Sequence, residues 1–213
     1  MALSKVDYNS LNVTPAASKA LKWNSTPNGF ETGDIAGSMI LLATETADGS
    51  GTTLTFDSDI DDTYKEYVFK MYDIHPQTDL KDLQVNFRDG GSSYDATKTT
   101  SVFRTYADEA GTDTTFSYNT SWDVAQGTGV QLLIHGIDND NDACGVATMH
   151  LFDPSSTTFV KHFVSTSNAM NGTYTHQQYV AGYCNVTAAI DGVQFSMSSG
   201  NIDAGTFKMY GVT

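Results

Sequence analysis

Hydrophobic and polar residues alternate along most of this chain. Near its C-terminus Val193, Phe195 and Met197 alternate with polar residues, and after a turn Phe207 and Met209 alternate in the same way. A period of two places successive side chains on opposite faces of a β-strand. These two segments are therefore predicted to be strands with one face on a hydrophobic core.

The same signal recurs at regular intervals upstream. Residues 66–74 form the clearest strand, because Tyr67, Phe69 and Met71 share one face. In all we predict roughly ten or eleven short strands, at a spacing typical of an antiparallel sandwich or barrel. So many strands close on themselves or split into two layers. The prediction is all-β: one antiparallel β-sandwich over residues 38–213, with a jelly roll as the first choice. Its inward positions are expected to include Phe69, Val85, Leu132, Ile134, Phe163, Phe195 and Phe207.

Residues 1–37 lack sustained alternation, so we predict an extended N-terminal arm. Leu11, Leu21, Trp23 and Phe30 are its candidate anchors. Two interpretations are equally favoured: the arm binds another protein or another copy of the chain, or it wraps its own domain.

The charge of the chain limits the classes of partner that it is expected to bind. The formal net charge is −14, from 25 acidic and 11 basic residues. A field of that sign repels nucleic acid and anionic membranes. No apolar run approaches the length needed to span a bilayer. We therefore expect neither a nucleic-acid partner nor a membrane partner.

One acidic segment is a candidate cation loop. Asp138, Asp140 and Asp142 occupy alternate positions, as in a calcium loop, but Ala143 and Met149 stand where an EF-hand needs Gly and Glu. We favour a solvated hairpin tip and keep a different calcium loop as the alternative. No cofactor is predicted, and metal is not expected to be needed for folding.

Signals for catalysis are weak. Nucleophile elbows, phosphate-binding loops and paired metal-binding histidines do not occur in the sequence. His150 and His162 fall on neighbouring predicted strands, but a third ligand for a metal is missing. Exposed Tyr and Trp side chains, with Trp23 and Trp122 in polar surroundings, suit either sugar stacking or packing. Cys144 and Cys184 lie far apart in the sequence, so two free thiols are favoured over a disulfide. We predict no catalytic residues and a chain that is not an enzyme.

The closing segment, Ser199, Gly200, Asn201 and Ile202 followed by Gly205 and the run KMYG, carries a resemblance. It resembles the close of small structural proteins from the virions of tailed phages, marine ones especially. The LFDPSSTT turn at residues 151–158 is similar to that group as well. The matching residues are strand and turn residues, so the resemblance implies a fold and no functional residues.

The resemblance implies a non-enzymatic phage protein on the particle surface, as a head decoration, a fibre or a tail appendage. Its partners would be capsid or tail proteins and further copies of itself, as a homotrimer. It would be made in the host cytoplasm, since residues 1–10 lack the features of a signal peptide. The alternatives are a lectin-like module that binds host surface glycans and, third, a small polysaccharide hydrolase.

Overall fold

The computed structural model describes residues 19–26, 29–33 and 38–213, and its regular structure consists almost entirely of β-strands. The chain divides into two units, with the boundary between Ser38 and Met39. The strands of the second unit are β3 (Met39–Ala47), β4 (Thr53–Phe56), β5 (Glu66–Pro76), β6 (Lys81–Arg88), β7 (Lys98–Asp108), β8 (Thr114–Tyr118), β9 (Gln131–Ile137), β10 (Gly145–Phe152), β11 (Lys161–Asn171), β12 (Tyr174–Cys184), β13 (Gly192–Met197) and β14 (Ile202–Val212).

These strands form two antiparallel sheets that pack as a sandwich. The larger sheet has eight strands in the order β3-β14-β5-β10-β11-β12-β7-β8, and the smaller has four in the order β4-β13-β6-β9. Alternation creates the faces: in β11 every second residue from Lys161 to Ala169 is buried, and those between them are exposed. The predicted antiparallel β-sandwich is confirmed.

The strand order is that of a jelly roll. If β3, β4, β5, β6, β9, β10, β13 and β14 are numbered one to eight, the sheets read 1-8-3-6 and 2-7-4-5. This nesting of first with last strands follows from two Greek keys folded over each other. The predicted jelly roll is therefore present.

Four strands extend the jelly roll. The β7–β8 hairpin is inserted between the fourth and fifth strands, and the β11–β12 hairpin between the sixth and seventh. Both hairpins join the same edge of the larger sheet, which grows from four strands to eight. The smaller sheet keeps four strands, and its edge strand β9 packs on β11 and β12. The added strands therefore carry surface that the smaller sheet does not cover.

The core lies between the sheets and is rich in phenylalanine. Phe195 of β13 contacts the rings of Phe56, Phe69 and Phe207, at centroid distances of 6.3, 5.8 and 5.2 Å. All seven predicted inward residues are buried, although Leu132 lies outside the main core cluster. Among the residues that the structure describes, no helix is long and apolar enough to cross a bilayer.

The described part of the N-terminal unit is extended backbone that pairs with itself. Strands β1 (Ala20–Trp23) and β2 (Phe30–Gly33) form an antiparallel hairpin, a pairing that the sequence analysis did not predict. Trp23 lies opposite Phe30, and their rings stack at 4.4 Å.

Both cysteines are free thiols, as predicted. Cys184 is fully buried on β12, where it lies between Lys98 and Lys161 in the sheet register. Cys144 is half-buried just before β10.

Candidate functional site

The face of the eight-stranded sheet that points away from the core is here called the outer face. Cross-strand register places its side chains in rows that run over the whole sheet. The middle one, which we call the central row, crosses all eight strands and consists of Thr44, Lys208, Lys70, Thr148, Thr166, Tyr179, Phe103 and Tyr118. Residues that lie far apart in the sequence thus share one continuous line.

The outer face is depleted of acidic residues. Strands β8, β10, β11 and β12 contain no Asp or Glu, although the chain has 25. Glu66 lies on this face, and its carboxylate accepts a hydrogen bond from His150 Nδ1 or pairs with the charged ring. This face therefore lacks the repulsion that the rest of the chain would exert on an anion.

Aromatic rings form one end of the central row. Phe103 stacks on Tyr179, with ring centroids 4.8 Å apart and planes within 14°, and it contacts Phe116 at 5.5 Å. Phe116 is 72% exposed, and Tyr118 is also exposed. Tyr118 is held by a hydrogen bond that its hydroxyl donates to Asp123. Flat, rigid rings at a surface offer contact area at low entropic cost, as binding sites for ring-shaped ligands require.

Two lysines form the other end. Lys208 of β14 lies directly opposite Lys70 of β5. Among the described residues neither ammonium group forms an ion pair, and Lys208 Nζ lies 5.9 Å from the centre of the Tyr72 ring. Like charges directly opposite each other destabilise a sheet. A bound anion would offset that repulsion.

Two shallow depressions lie on the outer face, one along the central row and one beside it. One, of about 410 Å³, is lined on the outer face by Lys70, Tyr72, Val146, Thr148, Thr166, Asn168 and Gln177. The other, of about 320 Å³, is lined by Thr99, Ser101, His162, Val164, Ala181 and Tyr183. The lining of each supplies hydroxyl groups, together with amide groups in the first and a ring nitrogen in the second. Such an arrangement suits an extended, hydroxyl-rich ligand.

The acidic loop, for which a solvated hairpin tip was favoured and a calcium loop kept as the alternative, is organised by one of its carboxylates. Asp138 is buried, and its carboxylate accepts hydrogen bonds from the backbone N–H groups of Asp140, at 2.9 Å, and Gly172, at 3.0 Å. Within residues 19–26, 29–33 and 38–213 no group of three His, Cys, Asp or Glu side chains is arranged to hold a metal ion. Asp138, Asp140 and Asp142 therefore do not converge on a common point, and Asp138 stabilises the turn instead.

The predicted anchors of the arm have different positions. Leu21, Trp23 and Phe30 are exposed on the β1–β2 hairpin. Leu11 lies outside the described residues.

His150 and His162 share the outer face, but they do not face each other. His150 lies opposite Val164 and contacts Glu66, whereas the ring of His162 packs on that of Tyr183 at 5.8 Å. They form no metal pair.

Sequence reasoning missed Lys70 and Lys208 as site residues. Each stands at an exposed position of a clearly alternating strand, which the sequence does indicate. That the two strands are neighbours in this register follows from the topology alone.

This chain has few detectable similarities to known proteins. No family model matches this chain, and no curated protein matches it. Among solved structures, a marine PL-14 alginate lyase from Aplysia kurodai is 11% identical, with 92% of this chain and 87% of that chain covered and a TM-score of 0.35. The structure of infectious bursal disease virus Gx strain is 11% identical, with 87% of this chain and 44% of that chain covered and a TM-score of 0.12.

The prediction that the chain is not an enzyme is contradicted by the first of these comparisons, because that structure belongs to a lyase. We therefore withdraw the prediction that the chain is not an enzyme. At this TM-score the likeness carries no further argument, and it assigns no reaction, substrate or catalytic residue to this chain.

Proposed function

We propose that this protein binds a polysaccharide on the outer face of its larger sheet. The observation that carries the proposal is the central row, which joins an exposed aromatic end to a pair of unpaired lysines across a face with few acids. Aromatic rings stack on the apolar faces of sugar rings, and hydroxyl and amide side chains exchange hydrogen bonds with sugar hydroxyls. The open, shallow shape accommodates a polymer that continues beyond the site at both ends.

The lysine pair favours a polymer that carries acidic groups. In a chain of net charge −14, two adjacent ammonium groups with no described ion-pair partner are an unusual concentration of positive charge. A carboxylate or sulfate of the polymer would relieve their mutual repulsion. Neutral sugar units would then lie toward Phe103 and Phe116.

The test is a binding titration with a polyuronate such as alginate and with a neutral glucan of similar length. Phe116→Ala should weaken binding of the polyuronate about 3- to 10-fold, the loss expected for one stacking contact. The matched control is Phe159→Ala, since Phe159 is 71% exposed but lies in the loop before β11. Equal affinity in all three proteins, or no binding of either polymer, would overturn the proposal.

The same samples should be examined for shortening of the polymer. Release of new chain ends that is lost in Lys70→Gln or Lys208→Gln would make the outer face an active site as well as a binding site. An unchanged chain length would leave binding as its function.

We also propose that the protein displays this face on a phage particle. The support is the resemblance of the segment from Ser199 onward, which forms β14 and the turn before it. A sandwich that presents a broad binding face suits a decoration, fibre or tail appendage that contacts host glycans. Mass spectrometry of purified particles tests this, and absence of the chain from them would refute it.

A further inference from the structure

A second cluster lies on the opposite face of the added strands, independent of the outer face. Arg104 and Tyr106 of β7 lie directly opposite Gln178 and His176 of β12, on the side that faces inward. His135 of the smaller sheet's edge strand stacks over His176, with ring centroids 6.1 Å apart and planes within 7°. We call this cluster the Arg104 cleft.

The guanidinium of Arg104 is fixed without a hydrogen-bond acceptor. Its central carbon lies over the ring of Trp122 at 4.8 Å and over that of Tyr106 at 5.2 Å. Among the described residues it has no ion-pair partner, and its buried Nε has no hydrogen-bond partner. Two cation–π contacts hold the group in place, but they leave its N–H donors unused.

The only other arginine of the sequence shows the contrast. Arg88 donates from Nε to Asp191 Oδ1 at 2.8 Å and from Nη2 to the backbone oxygens of Asp191 and Asp57. Its donors are used in the ordinary way, so the unused donors of Arg104 need a separate explanation.

Two more buried polar groups in the cleft are unsatisfied. His176 is 7% exposed and Gln178 is 1% exposed, and neither His176 Nδ1 nor Gln178 Nε2 has a hydrogen-bond partner in the described structure. The other end of the Gln178 amide is occupied, because its Oε1 accepts from the backbone N–H of His135. That bond fixes the orientation of the amide and leaves its buried NH₂ group without a partner among the described residues.

The acids nearest the cleft are occupied elsewhere. Asp82 Oδ1 lies 2.9 Å from His135 Nδ1 and accepts from the Gly136 N–H. Asp123, next to Trp122 in the chain, accepts from the Val102 N–H and from the Tyr118 hydroxyl. The carboxylate that the donors of the cleft lack is therefore not supplied by these residues.

We propose that the Arg104 cleft binds the carboxylate of a small organic acid. Arg104 Nε and Gln178 Nε2 supply N–H donors from opposed positions on neighbouring strands. Arginine binds carboxylates with two parallel hydrogen bonds, and the low exposure of the cleft strengthens them. The single permanent positive charge of Arg104 matches a monoanion better than a doubly charged phosphate or sulfate.

The chain allows a direct test because it contains two arginines. Their side-chain Nε–H signals can be followed by ¹⁵N NMR and assigned with the variants Arg104→Lys and Arg88→Lys. Acetate and glucuronate should move the Arg104 signal saturably and leave the Arg88 signal in place. Tighter saturation by glucuronate identifies a sugar acid as the ligand, whereas equal saturation identifies recognition of the carboxylate alone.

Three results would overturn the proposal. An Arg104 signal that stays fixed at every carboxylate concentration would show that water already occupies the N–H donors of the cleft. Sulfate would move it as strongly as acetate if the cleft lacks preference for carboxylates. Uncharged glucose would move it as strongly as glucuronate if the charge plays no part.

A calorimetric titration with glucuronate provides the second measurement. Arg104→Lys should weaken binding about tenfold or more, because it keeps the charge but loses the planar donor fork. Arg88→Lys should bind glucuronate as the unmodified chain does. Retention of polyuronate binding in Arg104→Lys, with glucuronate binding weakened, separates this site from the outer face.

Discussion

Lys208 and Lys70 lie directly opposite each other on neighbouring strands, the second and third in the order of the larger sheet, and neither has an ion-pair partner among the described residues. A pair of this kind costs folding energy, of order 0.2–1 kcal/mol. The two lysines should therefore lower the stability of the fold and strengthen the binding of an anion, and both effects can be measured.

Lys208→Gln should raise the free energy of unfolding by a few tenths of a kcal/mol, through loss of the repulsion. The same change should weaken binding of an acidic polysaccharide and reduce its dependence on salt. Urea unfolding and titrations at two salt concentrations measure the two effects. Lys65→Gln is the matched control, because Lys65 forms an exposed ion pair with Asp153 away from the central row. A variant that loses both stability and binding would show that Lys208 has a structural role instead.

Much of this fold could be predicted from the sequence. Period-two alternation identified the strands and the inward residues. Burial of one face of a strand requires apolar residues at every second position of that strand, as in the run from Val193 to Met197. Alternation states which side chains share a face of one strand, but it does not state which strands are neighbours. The proximity of Lys70 to Lys208, and of Arg104 to Gln178, depends on the sheet order and register, and it could not be predicted. The spacing of the acids in the sequence also did not indicate that the carboxylate of Asp138 accepts two backbone N–H groups, because one of them, Gly172, lies far along the chain.

A core substitution should be costly. Phe195→Ala should lower the free energy of unfolding by about 3–5 kcal/mol, because the ring is fully buried against three other phenylalanines. Phe159→Ala, at an exposed position, should change it by less than about 0.5 kcal/mol. Denaturant titrations of both variants provide the comparison. Equal losses would contradict the placement of Phe195 in the core.

His176 should make stability depend on pH. Burial, followed by the charges of Arg104 and His135, lowers the pKa of His176 from 6.5 to about 4. Between these values the unfolded chain binds more protons than the folded one, so stability falls as the pH decreases from 6.5 toward 4 and is fully present above 6.5. The loss should reach the order of 2 kcal/mol at pH 5.

Urea unfolding of the unmodified chain and of His176→Gln at pH 7 and pH 5 tests this linkage. The rings of Tyr106 and Tyr174 also face His176. The variant should lose less stability than the unmodified chain between the two pH values. The same loss in both proteins would contradict the role of His176.

The two thiols should differ in reactivity. Burial raises the pKa of Cys184 to about 12, so its reactive thiolate is almost absent at neutral pH. Burial and then Asp73 raise the pKa of Cys144 as well, but Cys144 is partly exposed. Iodoacetamide should therefore modify Cys144 slowly and leave Cys184 intact until the chain unfolds. Mass spectrometry of native and denatured samples measures both, with Cys144→Ser as control, and rapid modification of native Cys184 would be inconsistent with its burial.

The N-terminal unit should be dispensable for folding and necessary for assembly. The boundary at Ser38 and Met39 separates it from a sandwich whose strands find all their partners within residues 39–213. Its hairpin exposes Leu21, Trp23 and Phe30, and a partner surface would relieve that exposure. A chain without residues 1–37 should keep the melting temperature of the full chain and lose oligomer formation or incorporation into particles. The full-length variant Trp23→Ala is the matched test of the exposed rings, and it should weaken assembly without changing the melting temperature. If the shortened chain fails to fold, the arm contributes to the core of the sandwich. If the shortened chain assembles as completely as the full chain, the arm has no role in assembly.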